Sequence, residues 1–228
     1  MTATTTPVPR IPIADSAPEV PSPLWRLAGL LGLAQVVMMF AAITQEVLVT
    51  HSTPLTTLQH DYGTANLTRV FGAGYVEALS FIVLTPAVVI ISRIFTRGSE
   101  STRAAAQTFL ALGIAFVTAT LAIGFAPGAA AMYGAQHGAD PHTVAMVNDL
   151  RNFSYFLEVT IQGGMAVALG IAAILSGLWS RVVGWGGVVI GTAILVGTPF
   201  APNGLGMLWL LWWLALVVLL IKGRPEHP

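Results

Sequence analysis

The chain reads as an all-α, polytopic membrane helix bundle of about six transmembrane helices. Three observations predict this. Apolar residues make up 55% of the 228 and charged residues only 9%, where soluble domains carry roughly 25% charged residues. Mean hydropathy is +0.76. The apolar residues are gathered into six stretches of near-spanning length, and the basic residues fall mostly on alternate links between them.

The elements follow in order. Residues 1–23 hold six of the fourteen prolines and begin Thr-rich, at Thr2, Thr4, Thr5 and Thr6. Such a segment buries too little apolar area to offset its chain entropy, so it reads as a disordered cytoplasmic tail. No basic n-region opens it, and Phe40 occupies −3 of the nearest cleavage candidate after Ala42. The first span is therefore expected to stay uncleaved. A span needs ~20 mostly apolar residues to cross ~30 Å of hydrocarbon. The six stretches are 24–49, 70–95, 104–126, 153–175, 182–200 and 205–221, within a membrane domain over 24–222 and ahead of a short cytoplasmic tail over 223–228. They must be helices, because hydrocarbon leaves no water to satisfy open backbone groups.

With the amino terminus inside, Arg10, Arg26, Arg93, Arg97, Arg103, Arg181, Lys222 and Arg224 lie on the cytoplasmic side. Only Arg69 and Arg151 lie outside. Eight against two is a strong positive-inside asymmetry. It predicts a multi-pass protein of the cell membrane with both termini cytoplasmic. Trp25, Trp179 and Trp185 then fall at the inner interface and Trp209, Trp212 and Trp213 in the outer half of the last span, as aromatic belts. Two outer links are long, about 50–69 and 127–152. In the second, Asp140-Pro141 predicts an N-cap followed by proline at the first helical position.

Composition also excludes. Ten basic and ten acidic residues give zero net charge, which draws the chain to no nucleic acid. Its expected surroundings are a lipid bilayer, with a homodimer or a membrane complex as partner. There are no cysteines, hence no disulfides, thiolate metal sites or thiol catalysis. The sequence contains no phosphate-binding glycine loop and names no cofactor.

Two near-identical phrases carry the candidate chemistry. Arg69-Val70-Phe71 leads to Tyr75 and Glu77, and Arg151-Asn152-Phe153 leads to Tyr155 and Glu158. The apolar stretches after them end alike, in Phe125-Ala126-Pro127 and Phe200-Ala201-Pro202. Spans two–three and four–five run in the same direction, so this predicts a parallel internal repeat. An ionisable group within a span is costly and marks a functional site by default. Glu77 and Glu158 are therefore the candidate catalytic acids, each roughly 10 Å inside its span at 1.5 Å per residue.

Glu46, Arg69, Arg151, Gln162, Tyr75 and Tyr155 are the candidate substrate-binding residues. Ser154, Glu158 and Gln162 recur at i, i+4, i+8 with Arg151 a heptad before Glu158, and Gln35 shares a face with Glu46. The polar stripes should face one another inside the bundle, where Arg69 can pair with Glu158 or Arg151 with Glu77. The alternative is structural: such pairs join membrane helices by hydrogen bonds of about 1 kcal/mol each. No metal site is assigned. His51, His60, His137 and His142 sit in the outer links, metal candidates by residue type but without ligand spacing.

Gly163, Gly170 and Gly177 at heptad spacing, and Gly184, Gly187 and Gly191, predict close helix approach, within the chain or in a homodimer. Thr85-Pro86 predicts a kink in the second span.

Arg26-Leu-Ala-Gly-Leu-Leu31, Glu46-Val47, Leu67-Thr-Arg-Val-Phe71 and Ser180-Arg-Val-Val-Gly-Trp-Gly187 occur in this order. The order resembles a widespread bacterial family of small six-span integral membrane proteins, defined only as a domain of unknown function. Its members show an Arg-(Ile/Leu)-Ala-Gly start, an acidic end to span one, a Phe-Arg start to span two and a late Arg-x-(Leu/Val)-Gly-Trp. In this chain the phenylalanine follows Arg69 by two instead of preceding it. The resemblance covers residues 24–221 and implies the six-span fold; it implies no activity and no catalytic residues.

Three functions stay open on the sequence. The first is binding or transport of a small apolar or weakly polar solute, or support of a membrane complex. The second is an intramembrane enzyme in which a buried carboxylic acid protonates a lipid-like, prenyl or terpenoid substrate. The third is an outward-facing metal-binding protein.

Overall fold

The chain turns its apolar stretches into helices, the longest of them well beyond the length a bilayer requires. A computed structural model describes residues 21–45, 49–96 and 98–223; Glu46, Arg97 and nearly all of the expected amino-terminal tail lie outside the described residues. The helices are α1 (Ser22–Ile43), α2 (Leu55–Thr64), α3 (Leu67–Phe95), α4 (Glu100–Ala119), α5 (Ala126–Gln136), α6 (Pro141–Ser176), α7 (Arg181–Gly197) and α8 (Pro202–Lys222). A π-helical turn, Thr120–Phe125, joins α4 to α5 without a break. Among the described residues there is no strand.

Local chemistry sets the boundaries. The Asn66 side chain accepts from Arg69 N (3.1 Å) at the start of α3, and Ser99 accepts from Thr102 N (3.3 Å) at the start of α4. Asp140 caps α6 as its sequence predicts, accepting from Thr143 N at 3.0 Å with Pro141 at the first helical position. Gly177 ends α6 at φ 65, a left-handed conformation that glycine adopts without a Cβ clash. α3 runs unbroken through Pro86.

Among the described residues, five helical segments are long and apolar enough to cross a membrane: Ser22–Ile43, Leu67–Phe95, Glu100–Gln136, Pro141–Ser176 and Pro202–Lys222. The fifth expected span becomes the shorter apolar helix Arg181–Gly197. In packing order, α1, α3, α4, α6, α7 and α8 form a closed ring, with α8 returning to α1. Its core is aromatic and aliphatic, including Phe95, Phe109, Met165, Leu169, Trp213 and Leu216.

Two expectations are corrected by this architecture. The helix that carries the third expected span does not stop at Ala126. The helix continues to Gln136, so the expected long link over 127–152 is mostly helix. The reason lies at Pro127, which has no N–H for the carbonyl of Ile123 and whose ring crowds it. The wider pairing of a π turn absorbs that mismatch and lets the helix go on. The two Phe-Ala-Pro phrases therefore differ: the first is helical throughout, and the second passes from a turn at Phe200 to the first residue of α8 at Pro202.

The tryptophans are the second correction. Trp25, Trp179, Trp209, Trp212 and Trp213 are buried, and Trp185 is exposed. Trp179 packs edge-on against both Phe95 (4.9 Å) and Trp25 (6.4 Å), and Trp209 stacks on Trp213 at 5.7 Å. They fill the ring of helices instead of lining a belt.

The glycines make the close helix approach that their spacing predicts. They are used within the chain: a Cβ on Gly170 would meet Gly184 O at 2.6 Å, and one on Gly191 would meet Gly163 O at 2.5 Å. Gly163, Gly170, Gly184, Gly187 and Gly191 seal α6 to α7, whereas Gly177 forms the left-handed end of α6.

Helices of 36 and 37 residues extend about 54 Å at 1.5 Å per residue, well beyond ~30 Å of hydrocarbon. Their overhang forms a cap with α2. A second, smaller core holds it together: Val49, Leu58, Tyr62, Ala131, Met132 and Val144. The buried Tyr62 hydroxyl donates to Asn148 Oδ1 at 2.6 Å. Gln136 Nε2 donates to the carbonyls of Tyr62 and Ala65, pinning the end of α2 to α5.

Candidate functional site

Directly beneath the cap, α3, the π turn, α5 and α6 surround a half-open cavity of about 130 Å³. Its apolar wall includes Val70, Phe71, Phe81, Phe125 and Met132; its polar lining is Glu77, Thr120, Arg151, Ser154, Tyr155 and Glu158.

Heptad-related residues on one face of α6 supply most of this chemistry. Ser154 Oγ lies 2.7 Å from the Arg151 carbonyl oxygen and 3.1 Å from Glu158 Oε1, so its one proton is shared between two acceptors. Thr120, on the π turn, reaches the same carboxylate, and the Arg151 guanidinium interacts with it electrostatically. Thr120 Oγ1 also donates to Phe116 O at 2.9 Å. Glu77 comes from α3 across the cavity.

Two glycines on the third span make the space. A Cβ on Gly124 would lie 2.8 Å from Glu158 Oε1, and one on Gly128 would lie 2.7 Å from Arg151 Cδ. Only hydrogen at both positions lets the carboxylate and the guanidinium lie flat against that helix. Sequence reasoning missed Thr120, Gly124 and Gly128. The available signal was the Gly-x-x-x-Gly spacing around Pro127, which puts both glycines on one helix face.

Depth is matched between the two acids. Glu77 lies 18 residues before the end of α3 at Phe95, and Glu158 lies 18 residues before the end of α6 at Ser176. At 1.5 Å per residue each is about 27 Å from that end. Both therefore sit near the cap-side edge of a ~30 Å apolar layer.

The remaining predicted residues are placed elsewhere. Arg69 is exposed and its Nε donates to Gln45 Oε1 at 2.8 Å, so it is engaged by the end of α1 and not by Glu158. Tyr75 is 63% exposed on the outer side of α3. Two residues from Glu77 is about 200° around a helix, which turns Tyr75 away from the cavity. Gln162 continues the α6 stripe, half-buried, one turn beyond the cavity lining. Gln35 is buried, with Nε2 3.7 Å from Met39 Sδ. Glu46 lies outside the described residues.

His51, His60, His137 and His142 are exposed. His137 stacks on Tyr133 at 3.9 Å, with Nδ1 2.8 Å from the Tyr133 carbonyl oxygen. Among the described residues no three His, Asp or Glu side chains gather as metal ligands would.

Comparison of the chain with protein-family models, curated proteins and solved structures finds no match.

Proposed function

We propose that this chain is a multi-pass protein of the cell membrane, with both termini cytoplasmic, that binds or moves a small apolar or weakly polar solute through the cavity under its cap. One observation carries the reading. Two acids and one arginine, from helices far apart in sequence, line a single cavity at the edge of an otherwise apolar bundle. Charged groups so placed are expensive, and a site that uses them is the default explanation. Membership in the bacterial family that the chain resembles belongs to the same proposal and rests on the motifs around Arg26, Arg69 and Arg181.

The enzymatic alternative has less support. A cavity of about 130 Å³ falls short of the ~300–1,000 Å³ that encloses a drug-sized ligand, and a prenyl chain is at least that large. The metal alternative has no ligand cluster among the described residues.

The test is ligand-dependent thermal stability of the purified protein against benzyl alcohol, benzylamine, benzoate and butanol. At least one should raise Tm. Ala78→Phe and Ala129→Phe, which fill the cavity from opposite walls, should remove that response. No response from the wild-type protein, or an unchanged response in both folded variants, overturns the reading.

A further inference from the structure

We propose that the cavity selects a small organic monocation, a protonated amine on an apolar body; this rests on reading the cavity as a solute site. The charge inventory is the argument. The lining holds two carboxylates, Glu77 and Glu158, and one guanidinium, Arg151, and no other basic group. Their formal sum is −1, whichever carboxylate Arg151 favours. At the edge of a membrane that excess must be compensated, because an unbalanced charge away from bulk water is strongly disfavoured.

The three ligand classes differ in what they do to this sum. An anion makes it −2 and finds one cationic partner, already interacting with Glu158. A neutral solute leaves it at −1. A monocation brings it to zero and adds charge-assisted hydrogen bonds to carboxylate oxygens.

The rest of the lining fits an ammonium head with an apolar body. Phe71, Phe81, Phe125 and Tyr155 offer ring faces, which attract cations, and Val70 and Met132 offer apolar contact. Size is also compatible: the cavity of about 130 Å³ compares with the ~150 Å³ apolar cavity that accommodates benzene in another protein.

A bare proton on one carboxyl would balance the same sum, and the experiment separates the two. Full-length protein in nanodiscs is titrated calorimetrically with benzylamine, benzyl alcohol and benzoate at neutral pH. The three share a ring and differ mainly in head-group charge. Benzylamine should bind at least about tenfold more tightly than benzyl alcohol, and benzoate most weakly. In E77Q/E158Q, where Arg151 alone keeps its charge, the order should invert in favour of benzoate. R151Q, at a formal −2, should tighten benzylamine and so gives a second readout where the double variant does not fold.

Benzyl alcohol binding as tightly as benzylamine means that a proton already compensates the site. That overturns the monocation proposal and leaves the solute reading intact. Benzoate binding tightest overturns it likewise. No binding of any of the three overturns both.

Discussion

Glu158 is held by what its neighbours lack as much as by what they supply. Ser154 Oγ lies 3.1 Å from its Oε1, and Gly124 leaves room for that oxygen, which a Cβ would meet at 2.8 Å. Gly124→Ala puts a methyl group against that oxygen and must displace the carboxylate toward the cavity. The expected outcome is at least about a tenfold loss of benzylamine affinity, a weakened charge-assisted contact, measured by calorimetry on protein of near-normal Tm. Gly63→Ala is the contrasting change: a Cβ there meets nothing within 4 Å. It should be neutral or raise stability by up to about 1 kcal/mol through helix propensity.

At this scale the sequence was legible where spacing fixes direction. Arg151, Ser154 and Glu158 fall on one face because they are spaced by three, four and seven. Tyr75 and Arg69 were misplaced because proximity to Glu77 in sequence carries no azimuth. Tyr75 is about 200° round the helix, and Arg69 is engaged by Gln45, a partner that only tertiary structure reveals.

Between elements, the α6–α7 contact is the tightest made by small residues. Both backbones approach so closely that a Cβ on Gly191 would meet Gly163 O at 2.5 Å and Val167 N at 2.7 Å. Backbone atoms cannot move aside as a side-chain tip can. Gly191→Ala should therefore destabilise by about 1–3 kcal/mol through overpacking, seen as a lower Tm in detergent. Gly186→Ala, one position off that face, meets only Trp212 at 3.9 Å and should be tolerated.

The cap allows a second test. Gln136→Ala leaves the carbonyls of Tyr62 and Ala65 without the amide that joins them. Amide hydrogen exchange over α2 should accelerate, while exchange in α3 and α6 stays slow. Glycine spacing made the first of these contacts readable in the sequence. The cap was not readable, because proline at 127 signals a helix end by its own chemistry and the π turn that overrides it has no comparable residue signature.

For the whole molecule, the decisive quantity is which side of the membrane the cap occupies, because the cavity opens beneath it. The basic residues argue for the cell exterior: Arg93, Arg103, Arg181 and Lys222 cluster at the opposite end, and among the described residues Arg69 and Arg151 are the two at the cap end. Arg151 is also the arginine that lines the cavity, so a local role explains its departure from the charge bias. The absence of cysteine makes the orientation directly measurable. His142→Cys adds a thiol at an exposed position on the cap, and Ser180→Cys adds one at an exposed position between α6 and α7. A membrane-impermeant maleimide applied to intact cells should label the cap thiol and reach the other only after permeabilisation. Labelling in the reverse order would turn the cavity toward the cytoplasm, and the solute would have to be sought among cytoplasmic compounds. Labelling of both in intact cells would mean that the helices between them do not separate two compartments, and the membrane-spanning arrangement itself would fall.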